Sequence, residues 1–453
     1  MIEDQQPTTN NQQLITIVGA GLVGSLLSLY LRKQNFEVKI LERRKDPRTG
    51  NVDHGRSINL ALSHRGIRAL KEAGVQISIL EKAIPMRGRM IHDVKGKRNF
   101  IPYGEQGQMI YSVSRSELNR MLIEEAEKAG ASINFNASCH EIDFKNSSIT
   151  INQEGQEQKI SSDIILGADG AFSDVRSAMQ KYDKFNYSQE YLEHGYKELQ
   201  IPAKDGKHQL EKNALHIWPR EKFMLIALPN LDGSFTCTLF LPHEGAVSFS
   251  KLKDNVSLKK FFKKYFSDVY GLMPDLEKYF FGNPTSSLVT IKCSPWYFER
   301  TMLIGDAAHA IVPFYGQGMN AGFEDCRILN GIIKTHKNNW ERAFPEYQKK
   351  RKENTDAIAE LALLNFIEMR DLVADPEFQL RKKIEAIIHQ RIPEYLPLYT
   401  MVTFTDIPYS EVLKKAEIED EMMKEIMGIK QIKKIWNTEK GWKEVKKIYK
   451  KYF

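Results

Sequence analysis

The chain has 453 residues, a length that allows two or three domains and a substantial hydrophobic core. Hydrophobic residues make up 42% and charged residues 27% of the chain, as in an ordinary globular protein. The net charge of +7 is modest for this length; it is compatible with an anionic substrate or cofactor and does not indicate nucleic-acid binding.

The cysteines and the apolar runs exclude two further classes. The four cysteines (Cys139, Cys237, Cys293 and Cys326) are far apart and lack C-x-x-C spacing, so neither disulfides nor a metal site is expected. The polar start, MIEDQQPTTNNQQ, does not resemble a signal peptide, and no run of about 20 apolar residues predicts a transmembrane helix. We therefore expect a protein with reduced thiols in the cytoplasm.

The strongest functional signal lies in residues 14–42. An apolar run is followed by Gly19, Gly21 and Gly24 in the order G-x-G-x-x-G, then by an apolar helical stretch and a strand that ends at Glu42. These glycines permit a tight turn, close approach of a pyrophosphate to the helix N-terminus, and close helix–strand packing. Glu42 can accept hydrogen bonds from ribose hydroxyls. The alternative is a glycine-rich turn in another α/β protein, and the motif does not distinguish NAD from FAD.

The rest of the chain changes from β-rich to helical. Between about residues 182 and 292 the pattern predicts strands near 215–219, 223–228 and 234–241. A basic, aromatic helix near 258–266 is expected to cover this sheet. From residue 325 onward the pattern is almost wholly helical. We expect the lysine-rich, aromatic tail (429–453) to form an amphipathic helix on the body of the protein, the alternative being contact with a membrane surface.

Two further signatures place an aspartate at the end of a buried strand, where ligands bind in α/β folds. They are LGADG at 166–170, with Asp169, and LIGDAAHAIVPFYGQGMNAGFEDC at 303–326, with Asp306. In the second, Gly316, Gly318 and Gly322 allow the backbone to approach a flat ring system. Met319 and Asn320 then open a helix whose N–H groups could face the edge of that ring.

Together the three signatures resemble the single-component, FAD-dependent aromatic hydroxylases, over most of residues 14–345. In that family the late aspartate, here Asp306, contacts the ribityl chain of the flavin. The segment around Asp169 lies near the FAD pyrophosphate and is implicated in NAD(P)H use. The chain has no second G-x-G-x-x-G, which departs from flavin reductases with two dinucleotide domains and agrees with transient docking of NADPH.

Other strings extend the resemblance to about residue 410 and narrow it to the kynurenine-hydroxylating members of that family. They are GRSINLALSHRG (55–66), IPYG (101–104), LHIWPR (215–220), SFTCTLF (234–240) and PLYTMVTF (397–404). The resemblance implies that L-kynurenine, NADPH and O₂ give 3-hydroxykynurenine through a flavin hydroperoxide, in the kynurenine pathway of tryptophan catabolism and NAD biosynthesis. It implies tightly bound FAD and a monomer or homodimer of the soluble, bacterial type.

The resemblance also assigns residues. The cofactor-binding candidates are Gly19, Gly21, Val23, Gly24, Leu41, Glu42, Arg43, Arg44, Arg56, Ala61, Arg115, Cys139, Asp169, Asp306, Gly318, Met319 and Asn320. The candidates for the substrate carboxylate are Arg89, Tyr103, Asn365 and Tyr399, and Phe314, Tyr315, Glu368 and Met369 are further pocket candidates.

The residues themselves test some of these assignments. Asn365, Glu368 and Met369 share one face of an apolar helix, which favours a partly buried polar site over a solvated stripe. By pattern alone, Arg87 is as good a carboxylate ligand as Arg89. No catalytic side chain is expected, because the flavin carries the chemistry. His309, beside Asp306, is expected to serve packing or polar contacts rather than as a base.

The expected fold is a Rossmann-like α/β FAD-binding domain with an inserted β-sheet substrate domain and a helical C-terminal region. The segments are FAD-binding at 1–55, 101–181 and 295–345, substrate-side strands and loops at 56–100, the β-rich substrate domain at 182–294, and the helical region at 346–453. The alternatives are a flavin hydroxylase for another anionic aromatic, an NAD-dependent dehydrogenase, or a non-catalytic binding scaffold with a flavoprotein fold.

Overall fold

A computed structural model describes residues 12–49, 59–103, 107–368 and 375–453. The strands in these ranges are β1 (Leu14–Val18), β2 (Glu37–Leu41), β3 (Asn59–Leu62), β4 (Ile84–Met86), β5 (Gly88–His92), β6 (Arg98–Pro102), β7 (Ile110–Ser114), β8 (Ser132–Asn134), β9 (Ala137–Asp143), β10 (Ser148–Gln153), β11 (Gln156–Ser161), β12 (Ile164–Gly167), β13 (Asn186–Ile201), β14 (Ala214–Arg220), β15 (Phe223–Pro229), β16 (Phe235–Pro242), β17 (Ser286–Ser294), β18 (Tyr297–Phe298) and β19 (Thr301–Leu303). The helices are α1 (Leu22–Arg32), α2 (His64–Ala73), α3 (Gln76–Leu80), α4 (Arg115–Lys128), α5 (Asp174–Met179), α6 (Asn255–Tyr265), α7 (Ser267–Tyr270), α8 (Leu276–Gly282), α9 (Asp306–His309), α10 (Gly318–Thr335), α11 (Trp340–Ile367), α12 (Pro376–Arg391), α13 (Leu398–Phe404), α14 (Tyr409–Met427), α15 (Ile432–Ile435) and α16 (Glu439–Tyr452).

A six-stranded sheet forms the core of the nucleotide-binding half. Its strand order is β18-β19-β12-β1-β2-β8, and every neighbouring pair except β18–β19 is parallel. β1 and β12 are almost wholly apolar and buried, as parallel strands covered on both faces must be. Neighbouring parallel strands end at the same edge of a sheet, so the turns that follow β1, β12 and β19 meet there. These turns are the three signatures of the sequence.

A seven-stranded sheet forms the other half, in the order β17-β13-β16-β15-β14-β5-β6, with only the β5–β14 pair parallel. Its outer face packs on α6, α7 and α8 through a core that includes Trp218, Phe262 and Phe266. This confirms the helix expected near 258–266 as a cover on the sheet. β6 is an edge strand with every residue exposed, and it runs across the expected segment boundary at 100/101. The division into six segments stays a prediction.

The C-terminal region is helical, as expected. α12, α14 and α16 share a core that includes Ile388, Met422 and Val445, so the basic, aromatic tail packs on neighbouring helices. The 28-residue helix α11 joins this region to the turn at 313–315, which borders the cavity described below. None of the helices in the described ranges combines the length and the apolar character that crossing a membrane requires.

Candidate active site

The turn after β1 is closed around two of its glycines and open at the third. Gly19 has φ +107°, and a Cβ there would lie 2.6 Å from the carbonyl oxygen of Ala168. A Cβ on Gly24 would lie 2.0 Å from the carbonyl oxygen of Gly19. A Cβ on Gly21 would have no atom within 4 Å in the part of the chain that the structure describes, and Gly21 lines a cavity at the start of α1. The fold therefore leaves space beside Gly21, at the end of the helix where exposed N–H groups attract anions.

Glu42 is a buried carboxylate beside this turn. It accepts hydrogen bonds from the Ala20 N–H at 2.9 Å and from Arg44 Nε at 2.8 Å. Burial raises the pKa of Glu42, but the contacts with Arg44 outweigh burial, so the net pKa is lowered and the group is an ionised acceptor. Leu41 is buried behind it, whereas the side chain of Arg43 is exposed.

Asp169 follows β12, and only one of its two carboxylate oxygens forms hydrogen bonds with the described residues. Its Oδ2 accepts from the N–H groups of Asp174 and Val175 at 2.7 and 3.2 Å, at the start of α5. Its Oδ1 is buried and has no hydrogen-bond partner among the described residues. The Cys139 thiol on β9 is close enough to be affected: burial, and then the charge of Asp169, raise the pKa of Cys139 to about 12. Cys139 is therefore a neutral thiol beside this signature.

Asp306 begins α9 at the end of β19, and both Asp306 and Arg115 line the same cavity as Gly21. Burial raises the pKa of Asp306, and the positive charge of Arg115 opposes this rise. Arg115 is the first residue of α4 and its side chain is largely exposed. Asp306 and Arg115, two of the cofactor-binding candidates, thus meet at the cavity, although they lie far apart in the sequence.

The start of α10 borders the cavity with Gly316, Gly318 and Met319. Gly316 has φ +65°, a conformation that favours glycine, and it closes the turn that precedes the helix. The side chain of Asn320 accepts a backbone N–H from the N-cap of α2 at 2.9 Å and donates to the carbonyl oxygens of Ala61 and Gly316 at 2.9 and 2.8 Å. It therefore ties α10 to β3, a structural role that the sequence did not reveal.

The cavity itself has a volume of about 370 Å³ and joins the two halves of the molecule. Its glycine-lined side is formed by the three signatures, and its apolar side by the inner face of the seven-stranded sheet. The sequence did not single out this apolar wall, although its residues alternate along each strand as a half-buried sheet requires. The wall includes Tyr196, Leu215, Ile217, Met224, Ile226, Leu228, Thr238 and Phe240.

Arg89 projects from β5 into this cavity and lies against two rings of a stack of three tyrosines. Its guanidinium carbon lies 4.0 Å from the ring centre of Tyr399 and 5.7 Å from that of Tyr103. Tyr399 stacks between Tyr103 and Tyr315, with ring centres 5.4 and 5.8 Å away. Arg89 Nε and the Tyr103 hydroxyl are buried and have no hydrogen-bond partner among the described residues. Buried polar groups are normally partnered, so this end of the cavity has unmet capacity for an anionic ligand.

The structure also separates the two candidate arginines. Arg87 precedes β5 and its side chain is exposed, whereas Arg89 lines the cavity. Burial lowers the pKa of Arg89, but the hydroxyls of Tyr399 and Tyr103 outweigh burial and the net pKa is raised, so Arg89 stays a cation. Two other expectations, for Arg56 and Met369, lie outside the described residues.

Asn365 lies near the end of α11 and is buried, as expected, with 8% of its surface exposed. Its Nδ2 donates to the carbonyl oxygen of Phe314 at 2.7 Å, and the Phe314 ring stacks on Phe366 with centres 4.2 Å apart. Glu368 follows α11, and its Oε1 lies 3.4 Å from Lys382 Nζ. Asn365 therefore holds the turn that carries Phe314 to the cavity.

A network of buried ion pairs links the helices that border the site, and the sequence did not predict it. His309 Nε2 lies 2.6 Å from Asp325, and Arg351 Nε lies 2.6 Å from the other oxygen of Asp325. Arg351 also contacts Glu324 at 2.7 Å, and Arg65 contacts Glu324 at 2.5 Å. These contacts join α2, α9, α10 and α11. His309 is committed to Asp325, in agreement with the expected polar packing role.

A second cleft, of about 560 Å³, lies between α4, β13 and the β15–β16 turn. Its polar side chains bond one another: Asn59 donates to Asn230 at 2.6 Å, Arg120 pairs with Glu117 at 2.7 Å, and Tyr279 donates to Gln200. Arg89, with its unpartnered Nε, lines the first cavity together with the three signature turns, and we therefore place the functional site there.

Comparison with known proteins places the chain in a family. A family model described as an FAD binding domain matches residues 12–244 and 274–361. A kynurenine 3-monooxygenase from Cytophaga hutchinsonii is 51% identical, over 97% of this chain and 100% of the relative. The chain belongs to the kynurenine 3-monooxygenase family. A more distant kynurenine 3-monooxygenase, from Dictyostelium discoideum, is 45% identical over 91% of this chain and 93% of its own length.

Solved structures agree with the fold of this kynurenine 3-monooxygenase family member. The tetrameric form of 2-methyl-3-hydroxypyridine-5-carboxylic acid oxygenase has a TM-score of 0.67 and 19% identity, over 81% of this chain and 95% of that one. The tetracycline destructase Tet(51) has a TM-score of 0.60 and 19% identity, over 85% and 99% of the two chains. At this identity the likeness concerns the fold, which is mixed α/β as the sequence predicted.

For a kynurenine 3-monooxygenase family member the described residues fit FAD. Space beside Gly21 at the start of α1 suits a pyrophosphate, and the ionised carboxylate of Glu42 lies next to that turn. The unpartnered Oδ1 of Asp169 and the buried carboxyl of Asp306 offer two further polar contacts along the same edge of the sheet. These four residues were all singled out by the sequence.

Proposed function

We propose that this protein hydroxylates L-kynurenine to 3-hydroxykynurenine, with FAD as its resident cofactor and NADPH and O₂ as co-substrates. One observation carries the proposal beyond family membership. The cavity that borders the three nucleotide-binding turns also contains the Arg89 guanidinium, stacked over Tyr399 and beside an unpartnered Tyr103 hydroxyl. Kynurenine is an aniline that carries an amino-acid group, and its carboxylate suits a fixed guanidinium.

We assign the substrate carboxylate to Arg89 and Tyr103. Arg89 offers two parallel N–H donors, and the Tyr103 hydroxyl supplies a further donor. Tyr399 fixes the guanidinium by stacking on it at 4.0 Å, and Tyr315 continues that stack toward the start of α10. Asn365 holds Phe314 at the cavity. These contacts would orient the substrate so that one ring carbon always faces the same side of the cavity.

The ring of the substrate is proposed to lie against the apolar wall of the cavity. Leu215, Met224 and Phe240 come from three neighbouring strands and offer no hydrogen-bonding side-chain groups. Such a wall excludes water from the reacting centre. When bound, FAD supplies the reducing and oxygen-activating chemistry, and the ring amine of the substrate makes the adjacent carbon electron-rich. No side chain of the protein is needed as a nucleophile.

Several partner assignments rest on the same proposal. NADPH would dock transiently, because the sequence has one dinucleotide fingerprint. The protein would work as a monomer or homodimer. A reducing, cytoplasmic compartment is supported by the four cysteines, all of which are free thiols.

The test begins with the purified holoenzyme. We expect a flavin spectrum, NADPH oxidation that kynurenine accelerates, and 3-hydroxykynurenine as the product. A phenolic acid, 4-hydroxybenzoate, serves as the control and should not accelerate NADPH oxidation. Acceleration by 4-hydroxybenzoate alone would assign the protein to another anionic aromatic, and a colourless protein that FAD does not reconstitute would exclude a flavin hydroxylase altogether.

A further inference from the structure

The outer face of the seven-stranded sheet carries a row of polar groups that the proposed reaction does not use. Asp268 Oδ2 lies 3.0 Å from His92 Nδ1, and His92 Nε2 lies 2.9 Å from His216 Nδ1. His216 Nε2 lies 2.8 Å from the backbone carbonyl oxygen of Glu211. His92 and His216 are 0% and 1% exposed. The Trp218 N–H donates to the same Asp268 oxygen at 2.9 Å.

The acceptors at the two ends of this row determine where its protons lie. The Glu211 carbonyl can only accept, so His216 carries its proton on Nε2. Nδ1 of a neutral His216 is then an acceptor, and His92 must donate to it from Nε2. The Asp268 carboxylate also accepts, so His92 must donate from Nδ1 as well. His92 is therefore an imidazolium with Asp268 as its counterion.

Other placements of the protons are worse. Removing the proton from His92 Nε2 would leave two lone pairs facing each other at 2.9 Å, and removing it from Nδ1 would place a lone pair against a carboxylate. Either change leaves a buried polar atom without its hydrogen bond. Moving the proton from His92 to Asp268, or to Nδ1 of His216, would keep every bond, but both of those groups have a lowered pKa, which keeps the proton on His92. The three side chains of His92, His216 and Asp268 thus carry one proton more than they would with both histidines neutral and the aspartate ionised.

The surrounding charges agree with this arrangement. Burial, together with the neighbouring charge of His92, lowers the pKa of His216 to about 4, so His216 is neutral. Burial raises the pKa of Asp268, but the hydrogen bonds from His92 and Trp218 outweigh it and the net pKa is lowered. The other charged groups near the row are Arg98, Asp93 and Arg220. Arg220 donates to the backbone carbonyls of His92 and Asp93 at 2.9 and 3.2 Å.

The same strand carries the proposed substrate clamp. Arg89 and His92 lie three residues apart on β5, so their side chains point to opposite faces of the sheet. β5 joins the body of the sheet only through β14, because its other neighbour, β6, is the edge strand. In that pairing Arg89 lies opposite Leu215 and Met90 lies opposite His216. The His92–His216 bond therefore crosses the strand pair that places Arg89 in the cavity.

We propose that His92 is a positioning residue: held as an imidazolium between Asp268 and His216, it locks β5 to β14 and fixes Arg89 in the cavity. This inference rests on the proposed function, because it takes Arg89 to bind the substrate carboxylate. Its consequence is a pH-dependent substrate affinity. When the row loses its additional proton it also loses one hydrogen bond, and kynurenine binding weakens while FAD binding, at the other sheet, does not.

The first experiment needs no variant. In holoenzyme with ¹⁵N-labelled histidine, NMR at pH 7.5 should show two imidazoles in mutual contact, one with both nitrogens protonated and the other with its proton on Nε2. Two neutral rings would overturn the proposal. This result does not depend on what the enzyme acts on, so it is separate from the test of the proposed function.

The second experiment measures kynurenine affinity of the holoenzyme from pH 6.5 to 9.5 through the change in flavin absorbance. His92→Gln and Asp268→Asn should bind kynurenine about tenfold more weakly than the wild type at pH 7. In both variants the fall of kynurenine affinity at high pH should disappear. Their kcat at saturating kynurenine should stay within about twofold of the wild-type value. His216→Gln retains an acceptor for His92 and should keep more affinity than His216→Leu. The control, His336→Gln, removes a peripheral histidine that pairs with Glu346 at 2.6 Å, and should match the wild type.

The outcomes separate the two proposals. Wild-type affinity and an unchanged pH profile in His92→Gln would overturn the positioning role. A wild type that contains the imidazolium but does not bind kynurenine would refute the proposed substrate and the link to Arg89 together. If the His92 variants fail to fold, the wild-type NMR titration decides: the imidazolium must lose its proton over the same pH range in which kynurenine affinity falls, and a mismatch would overturn the proposal.

Discussion

Substitution of single glycines in the turn after β1 tests whether FAD lies there. In Gly21→Ala the new methyl group meets no atom of the described residues within 4 Å, and Gly21 has φ −73°, which alanine adopts freely. The cost to the fold is then limited to the preference for glycine over alanine at a helix N-cap, about 1 kcal/mol. Any larger effect must come from a ligand in that space. A methyl group pressed against a pyrophosphate should weaken FAD binding by about 2 kcal/mol, or about 30-fold.

Gly24→Ala is the matched control, because it places the same methyl group in a closed part of the turn. Its Cβ would lie 2.0 Å from the carbonyl oxygen of Gly19, a backbone atom that cannot move without displacing the strand. We expect Gly24→Ala to destabilise the protein by about 3 kcal/mol or more, even without FAD.

The assay compares the two variants in the absence and presence of the cofactor. Urea unfolding of the apoprotein measures the cost to the fold, and titration with FAD, followed by flavin fluorescence, measures affinity. Gly21→Ala should change mainly the second quantity and Gly24→Ala the first. If Gly21→Ala binds FAD as tightly as the wild type, the cofactor does not contact this turn and the placement is refuted.

Three further predictions use the same protein. Arg89→Ala should raise the KM for kynurenine about 100-fold with FAD retained, because charged hydrogen bonds to the carboxylate are lost. In steady-state kinetics the surface control Arg87→Ala should leave the KM unchanged. Equal effects of the two variants would contradict the assignment of the carboxylate to Arg89. Glu42→Ala should weaken FAD binding about tenfold or more, because the carboxylate that accepts the ribose hydrogen bonds is lost. Glu42→Gln keeps one acceptor oxygen and should lose less FAD affinity. Full FAD occupancy of Glu42→Ala after dialysis would exclude the ribose contact. Burial, and then the charge of Glu385, raise the pKa of Glu419 to about 7, so the protonated form stabilises the fold at low pH and this contribution is lost as the pH rises through about 7. Glu419→Gln should therefore be more stable than the wild type at pH 8.5, on the order of 1–3 kcal/mol, and the difference should be smaller at pH 5.5. Urea unfolding at both pH values checks this, and an equal difference at the two would refute it.

The nucleotide-binding half could be read from the sequence because its signals are local. Within residues 14–42 the chain contains a strand, the glycine turn, a helix and an acidic strand end, and each constrains the next through backbone geometry. Asp169 and Asp306 could be added because ligands in α/β folds bind at the carboxyl ends of the strands. The amphipathic α6 and the helical C-terminal region followed from periodicity alone. The predicted boundary at 100/101 falls inside β6, which pairs with β5 as far as Pro102, and the division into segments stays a prediction.

The sequence by itself therefore determined the fold class and the turns at which a dinucleotide can lie, since these depend on neighbours in the chain. Only the tertiary structure shows that Arg89 rather than Arg87 lines the cavity, because this depends on where β5 begins and which face its pairing with β14 turns toward the cavity. It likewise brought Tyr399 onto Arg89 and His216 onto His92, from distant parts of the chain. Such contacts arise from strand order and helix packing, and no local pattern of residue types records them.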